Sequence, residues 1–189
     1  MYTKSVKEII AYLQENPARQ SSMVFPTASA VEYSEKEYPE IPPYILGLML
    51  GDGHISSSCM QFINAEEDIL KTIVDYGESI DCKMTVAQKS GCKCVTFSKR
   101  ADSMDNIHAP SPMKKRLINL NLFGTLSYTK FIPEEYMRGS IKQRLELLAG
   151  LINTDGYADD CTITYSTTSP YLRDGIIELA RSVGIVARR

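Results

Sequence analysis

The chain has 189 residues, 43% of them hydrophobic and 23% charged, and a formal net charge of −2. This length and apolar content allow a full buried core, so we expect one folded domain with an N-terminal extension. There is no apolar run of roughly 18 residues and no basic leader before an apolar segment. We therefore expect no membrane span and no secretion, and we place the chain in the cytoplasm.

A helix near residues 4–15 and a polar, acidic linker through Glu40 are predicted before the first strongly apolar segment. Pro42 and Pro43 open that segment, because proline is tolerated in the first turn of a helix. The segment reads Ile45-Leu46-Gly47-Leu48-Met49-Leu50-Gly51-Asp52-Gly53. Glycine inside a helix costs about 1 kcal/mol relative to alanine, so a close approach by another helix backbone is the expected compensation at Gly47. Gly53 supplies the left-handed conformation that ends a helix.

Two short strands near 54–57 and 59–63, a helix near 65–80 and a basic hairpin follow. The hairpin strands, near 82–88 and 92–99, lie in residues 81–130, which carry nine basic and three acidic side chains. Because alternate residues of a strand share a face, we expect Lys83 and Thr85 to share a ribbon face with Lys93 and Lys99. Such a ribbon fits the major groove of DNA, and an ordinary solvated sheet face is the alternative.

The candidate DNA contacts lie on this hairpin and just after the first apolar helix. They are His54, Lys83, Thr85, Lys89, Lys93, Lys99 and Arg100. His54 follows Gly53 closely enough to reach a phosphate, and an exposed strand position explains it equally well.

Ser111 and Pro112 are a plausible cap for a helix near 111–120, and the next long helix is predicted from Ser140 to about residue 154. Its second half reads Leu148-Ala149-Gly150-Leu151-Ile152-Asn153-Thr154-Asp155-Gly156. Strands near 157–159 and 161–166 and a helix near 168–183 follow. Gly184 stops that helix, and Ile185 onward is expected to enter a further hairpin.

The two apolar segments repeat one pattern 103 residues apart, each with an internal glycine and a terminal Asp-Gly pair. If the helices cross tightly at Gly47 and Gly150, Asp52 and Asp155 project from the same end of the pair. Two nearby carboxylates repel each other, and an oxygen-ligated divalent cation removes that repulsion while generating a nucleophilic water. The pair therefore predicts a Mg²⁺ site. One copy alone is explained equally by an ordinary buried helix with an Asp-Gly turn.

A third sequence block, Lys130-Phe131-Ile132-Pro133, precedes the second motif. Together with the paired motifs it resembles the LAGLIDADG (dodecapeptide, DOD-type) homing endonucleases, and specifically the endonuclease domain carried inside inteins. The segment Thr3-Lys4-Ser5-Val6-Lys7-Glu8-Ile9-Ile10, then Pro26 and Pro42-Pro43-Tyr44, is similar to the chain that enters such a domain from the splicing domain. The resemblance covers nearly the whole chain.

The resemblance implies an α+β fold made of a duplicated helix-hairpin-helix-hairpin-helix (αββαββα) unit with pseudo-two-fold symmetry. Residues 1–40 would be the extension, 41–139 the first repeat and 140–189 an incomplete second repeat without its closing hairpin and final helix. This would expose apolar surface on the helix of Ile176, Ile177 and Leu179, so we expect self-association there. The implied partners are double-stranded DNA and, within an intein, a host protein.

The resemblance also implies roles at the site. Asp52 and Asp155, with the backbone carbonyls of Gly51 and Thr154, would hold Mg²⁺ or Mn²⁺ that activates water for phosphodiester hydrolysis. Lys130 would neutralise charge on the scissile phosphate, and a solvated lysine before a turn is the alternative. Asn64 and Ser166, at roughly matching places after the second strand of each repeat, would position the attacking water.

Two further questions stay open at this stage. The same fold without competent chemistry would act as a nucleic-acid-binding module, such as a maturase or a regulator. The chain shows no N-terminal nucleophilic Cys or Ser and no terminal His-Asn pair, so we expect no splicing by this chain alone. The five cysteines fit no disulfide framework and are expected to be reduced; Cys92 and Cys94 with Cys82 could form a thiolate site or be small buried strand residues.

Overall fold

The computed structural model describes residues 5–18, 29–38, 40–57, 59–100 and 109–189. The helices are α1 (Val6–Glu15), α2 (Pro43–Gly51), α3 (Glu67–Ser79), α4 (Pro112–Asn119), α5 (Glu134–Met137), α6 (Ile141–Asp155) and α7 (Pro170–Ser182). The strands are β1 (Gly53–His54), β2 (Met60–Asn64), β3 (Cys82–Lys89), β4 (Cys92–Lys99), β5 (Gly156–Ala158) and β6 (Ile163–Tyr165). Within these ranges no helix combines the length and apolarity that a bilayer crossing requires. The predicted helix start at residue 4 and Pro26 lie outside the described residues.

The predicted α+β fold and its internal repeat are confirmed. The first repeat forms a four-stranded antiparallel sheet in the order β1-β2-β4-β3, and the second begins with a two-stranded sheet, β5-β6. The two sheets start with the same register, because Gly53 pairs with Phe62 and Gly156 pairs with Tyr165 at the same 103-residue offset. Residues 185–189 form no strand, so the hairpin expected from Ile185 is not seen in the described chain.

Helices α2 and α6 cross at their glycines, as the sequence predicts. A Cβ built on Gly47 would lie 2.8 Å from the amide nitrogen of Leu151 and 2.9 Å from the Cα of Gly150. A Cβ on Gly150 would lie 3.0 Å from the Cα of Gly47 and would overlap the carbonyl oxygen of Tyr44. The two backbones therefore touch directly, and no side chain larger than hydrogen fits at either position.

The core forms around α2, which is buried nearly all round because seven of its nine residues are buried. One side packs on α6, and the other packs on the inner face of the first sheet and α3. The buried residues of that sheet and helix are Met60, Phe62, Leu70, Ile73, Val95 and Phe97. This packing fixes the ends of both apolar helices relative to the first sheet.

Helix α5 was not predicted, because a single turn carries no hydrophobic periodicity. Its Tyr136 is buried, stacks on Tyr38 with ring centroids 4.4 Å apart, and donates a 2.7 Å hydrogen bond to the carbonyl of Ile41. Burial raises the pKa of the Tyr136 hydroxyl, which stays protonated and holds the chain where it enters α2. The predicted strand near 54–57 is also shorter, since β1 ends at His54.

Residues 29–38 were predicted as part of a linker, but they are bound to the second repeat. The fully buried guanidinium of Arg144 donates to the carbonyls of Val31, Gly139 and Ser182. The side-chain amide of Gln143 accepts from the amide nitrogen of Lys36 and donates to its carbonyl oxygen. Two adjacent residues of α6 thus hold the extended segment through its main chain.

The apolar face expected on α7 is not exposed. Leu179 is fully buried, Ile176 is 8% exposed and Ile177 is partly buried, because this helix packs against α6 and Ile132. The prediction of self-association through these three residues is therefore wrong in its stated cause. The large apolar side chains that are exposed in the second repeat lie elsewhere: Leu145, Tyr157, Ile163, Tyr171, Ile185 and Val186.

The helix crossing gives a stability prediction. We expect Gly47→Ala to lower the free energy of unfolding by at least about 2 kcal/mol, because the new methyl meets backbone atoms that cannot rotate away. Gly175→Ala, in α7, is the matched control, since its Cβ would lie 3.4 Å from the Cδ1 of Ile132. The control should equal or exceed the parent stability through its higher helix propensity. Urea denaturation measures both, and equal stabilities of the two variants would contradict the backbone contact.

Candidate active site

The candidate site lies where α2 and α6 end. Asp52 directly follows α2 and is half-buried, and Asp155 is the last residue of α6 and is exposed to solvent. A glycine follows each aspartate and turns the chain back into a strand. A Cβ on Gly53 would overlap Met49 of α2, and one on Gly156 would lie 2.8 Å from the Cα of Ile152 in α6. Both Asp-Gly pairs are therefore set by backbone contacts. The predicted left-handed conformation is wrong, because Gly156 is extended with φ −91° and Gly53 is not among the described glycines with positive φ.

Burial raises the pKa of both carboxyl groups. At Asp52, burial is the largest cause, the hydrogen bond from Asn64 acts against it, and the charge of Asp155 raises the pKa further. At Asp155, partial burial again dominates, while the positive charge of Lys130 and a hydrogen bond from Tyr165 lower the pKa. The two acids and Lys130 thus form one electrostatic unit at the helix ends.

Lys130 is 5% exposed, so the solvated alternative is wrong. Its Nζ donates to the carbonyl oxygens of Leu50 and Gly51, both at 2.9 Å, and of Gly53 at 2.8 Å. Its own carbonyl accepts a 2.6 Å bond from the hydroxyl of Ser169, the N-cap of α7. The ammonium group therefore caps the carboxyl end of α2, where a helix end favours positive charge.

The charge of Lys130 is retained at a cost. Burial lowers the pKa of its ammonium group to about 8, while the charges of Asp155 and Asp52 raise it. The three short bonds match the three N–H donors that a lysine ammonium carries. Its contact with a phosphate therefore stays a prediction, and the observed partners are main-chain carbonyls.

The proposed ligands, two carboxylates and main-chain carbonyls, are oxygen donors, which fits Mg²⁺ or Mn²⁺. No group of three or more His, Cys, Asp or Glu side chains suited to a metal occurs in the described part of the chain, so the carboxylate pair would rely on carbonyls and water. Of the two predicted carbonyl ligands, that of Gly51 already accepts from Lys130. The carbonyl of Thr154 stays a predicted ligand. The side chain of this residue lies against Gly51, and its hydroxyl donates to the carbonyl of Leu151, 2.7 Å away.

Asn64, the last residue of β2, lies beside Asp52. Its Nδ2 donates a 2.6 Å hydrogen bond to the Oδ2 of Asp52, and its Oδ1 accepts from the amide nitrogen of Glu66 at 2.7 Å. Since a backbone N–H can only donate, this second bond fixes which end of the amide faces Asp52. The side chain supports the carboxylate, and its action on water stays a prediction.

Ser166 is placed differently from Asn64. Its backbone nitrogen donates to the carbonyl of Asp155 at 3.2 Å, and its side chain is exposed. The group that reaches the Asp155 carboxylate is the hydroxyl of Tyr165, 3.4 Å from Oδ2, which the sequence analysis missed. Burial and the charges of Asp155 and Asp52 raise the pKa of this hydroxyl, so it remains a donor. A strict 103-residue offset would have paired Asn64 with Thr167 rather than with Ser166.

The first sheet divides the predicted DNA contacts between its two faces. Paired residues share a face, and the register pairs Lys83 with Ser98 and Thr85 with Thr96. We call this surface the outer face; its exposed or partly exposed polar members are His54, Gln61, Lys83, Thr85, Lys89, Thr96 and Ser98. The Nε2 of Gln61 and the hydroxyl of Thr96, 3.5 Å apart, lie on it side by side.

Lys93 and Lys99 do not share that face, so the predicted grouping is wrong. Lys93 and Lys99 share the inner face of β4 with Val95 and Phe97, which are buried against the helices. The ammonium group of Lys93 binds the carboxylate of Glu67 in α3 at 2.5 Å. The two-residue turn pairs Lys89 with Cys92, and this register places Lys83 and Thr85 on the face opposite to Lys93 and Lys99. Arg100 lies beyond the strand and is 3.3 Å from Asp81.

The same register excludes the thiolate site. Cys82 pairs with Lys99 on the inner face, whereas Cys92 and Cys94 lie on the outer face. All five cysteines fall in the described residues and none forms a disulfide. Cys82 and Cys94 are buried strand residues, as the alternative interpretation held.

Comparison with known proteins agrees with this geometry. A family model described as "Homing endonuclease" matches residues 131–189. A curated protein from Mycobacterium intracellulare, "Replicative DNA helicase DnaB", is 30% identical over 158 residues, which make up 83% of this chain and 21% of the helicase. The chain thus spans about a fifth of the length of that relative.

Among solved structures, "The crystal structure of I-DmoI in complex with DNA and Mn" aligns with a TM-score of 0.50 at 10% identity. The alignment covers 77% of this chain and 78% of that chain. A structure of mesophilic variants from the homing endonuclease I-DmoI aligns over 61% of each chain at 11% identity, and its TM-score of 0.37 is too low to establish a shared fold. Residues 131–189 are therefore similar to the homing endonuclease family, and the chain has the fold of the LAGLIDADG homing endonuclease I-DmoI.

Proposed function

We propose that this chain is a site-specific DNA endonuclease that makes a double-strand break with Mg²⁺ or Mn²⁺ as cofactor. The observation that carries the proposal is the pair Asp52 and Asp155, held by two touching helices at the edge of a polar sheet face. Two nearby acids with raised pKa values are suited to hold a divalent cation, which in turn binds a phosphate. The structural neighbour solved with DNA and Mn supports the same substrate and cofactor classes.

The outer face of the first sheet is the proposed DNA surface. Lys83 and Lys89 would contact phosphates, while Gln61, Thr85 and Thr96 present donors and acceptors of the kind that read base edges. His54 follows Asp52 by two residues and lies at the end of this surface nearest to the site. Lys93 and Lys99 are left out of the interface because they face the helices.

The proposed mechanism assigns each residue a separate task. A divalent cation, when bound, makes a water nucleophilic near neutral pH and stabilises the leaving oxygen. Asp52 and Asp155 would hold it, and Asn64 keeps the Asp52 carboxylate in place through its amide. Lys130 adds a fixed positive charge beside both acids, which favours the developing negative charge on a phosphate. The glycine crossing sets the separation of the two carboxylates.

The helicase similarity points to the setting of this chain. We infer that it is the endonuclease part of an intein inserted in a replicative helicase of the DnaB type, acting in the cytoplasm. The match to a fifth of that protein supports an inserted segment, and the homing endonuclease match lies within the same chain. An insertion that interrupts its own recognition sequence protects the host gene, so the expected target is the uninterrupted helicase gene.

The carboxylate pair gives the central test. We expect Asp52→Asn and Asp155→Asn each to slow double-strand cleavage at least about a hundredfold, because each removes a charged ligand of the proposed cation. DNA affinity should stay close to the parent value, and the folds should persist because the change relieves repulsion. The substrate is a plasmid pool that tiles uninterrupted DnaB genes, with breaks mapped by end sequencing in Mg²⁺. Tight binding without any break by the parent protein would instead indicate a nucleic-acid-binding module.

Lys130 gives a second test, made without DNA or metal. We expect Lys130→Met to lower the free energy of unfolding by about 2 kcal/mol, because carbonyls at the end of α2 lose their buried donor. Lys142→Met is the control, since that side chain is 79% exposed at the other end of α6. Unchanged urea unfolding of Lys130→Met would show that the carbonyl contacts contribute nothing to stability.

The DNA surface gives a third test. Lys83→Ala should weaken binding and reduce the slope of log affinity against log salt by about one unit, because one phosphate contact is lost. Lys142→Ala is the matched control, about 20 Å from the acids by helix rise. Lys93→Ala should resemble the control, as Lys93 is bound to Glu67. A slope that falls for Lys93→Ala and not for Lys83→Ala would show that the inner face of the sheet, and not the outer face, binds DNA.

A further inference from the structure

The two halves of the site support their carboxylates with different chemical groups. In the first half, Asn64 does two things: its Oδ1 accepts from the amide nitrogen of Glu66, which forms a tight turn, and its Nδ2 donates to Asp52. In the second half, the residue at the 103-residue offset is Thr167. Its hydroxyl accepts from the amide nitrogen of Ser169 at 3.2 Å, which forms the same turn. A threonine has no amide, so the turn is kept and the second donor is lost.

Tyr165 replaces that donor from another strand position. It pairs with Gly156, just as Phe62 pairs with Gly53, so the two aromatic rings are equivalent in the repeat. Because each ring lies opposite a glycine, no side chain occupies the paired position across the hairpin. Phe62 is fully buried and has no polar atom, whereas Tyr165 is only partly buried and its hydroxyl reaches the Oδ2 of Asp155. The equivalent rings thus differ in burial and in one hydroxyl group.

We propose that Tyr165 is a positioning residue for Asp155: its hydroxyl holds Oδ2 and leaves Oδ1 free for the divalent cation. The inference rests on the proposed endonuclease function, and it assigns that function a residue outside the repeated motif. Asn64 has the same task at Asp52. The two carboxylates are therefore supported independently, and loss of one support should affect one half of the site.

The test variant is Tyr165→Phe, which the protein itself shows to be compatible with the fold, because Phe62 occupies the equivalent place. We expect its thermal unfolding without metal to match that of the parent. Its affinity for Mn²⁺, measured by calorimetry on the DNA-free protein, should fall about tenfold, since groups that orient a metal ligand contribute on this scale. Tyr171→Phe, a tyrosine 65% exposed on α7, is the control and should bind Mn²⁺ like the parent.

A reciprocal variant makes the test specific. Asn64→Thr introduces the residue of the second half, keeps the turn acceptor and removes the donor to Asp52. With a mapped target labelled on each strand, Tyr165→Phe and Asn64→Thr should slow cleavage of opposite strands.

The outcomes separate the two proposals. Parent-like Mn²⁺ affinity and strand ratio in Tyr165→Phe, with Asp155→Asn defective in both, would overturn the role of Tyr165 and leave the endonuclease proposal standing. Equal Mn²⁺ affinity of the parent and Asp155→Asn would overturn both proposals, because the carboxylate would not be a ligand.

Discussion

The contact between the backbones of Gly47 and Gly150 determines where every other group of the site lies. Two helices with larger side chains at the crossing would separate by several ångströms, and their ends would separate with them. At this crossing each helix instead lies against the other without an intervening Cβ. The ends of α2 and α6 are then close enough for Lys130 to act on both Asp52 and Asp155. The site therefore requires two interior glycines, although each lowers the stability of its helix.

Lys130 connects the parts that this crossing brings together. Its ammonium group is bound to the end of α2, and its carbonyl is bound to Ser169 at the start of α7. A buried cation without a partner would be strongly destabilising, and here the unpaired carbonyls of a helix end take that role alongside two carboxylates. The same group thus completes the capping of α2 and offsets the repulsion between the acids. Lys130 therefore has a structural role in this chain as well as an electrostatic one.

The fold was largely predictable because its main signal is repeated. The 103-residue offset, the internal glycines and the Asp-Gly pairs state the helix crossing and the position of both acids twice. Features that depend on a single contact were not predictable. The partners of Lys130 are main-chain atoms, which no residue pattern reports. The faces of Lys93 and Lys99 depend on the turn between β3 and β4, where a shift of one residue exchanges the faces. Helix α5 is too short for a periodic signal. Arg144 holds residues 29–38 through the carbonyl of Val31 and the ring of Tyr33.

The differences between the two repeats follow the same division between backbone and side chain. Glycines at the crossing and after each aspartate are demanded by atoms that cannot move, so both halves keep them. The hydrogen bond to each carboxylate demands only a donor at the right place, and a donor can come from more than one strand position. The first half uses an amide at the end of β2, and the second uses a phenol two residues earlier in the repeat. The two halves of the site therefore share their backbone geometry, while the side chains that donate to the carboxylates differ. A search for site residues that follows the repeat letter by letter finds Thr167, which makes the turn, and misses Tyr165, which reaches the acid.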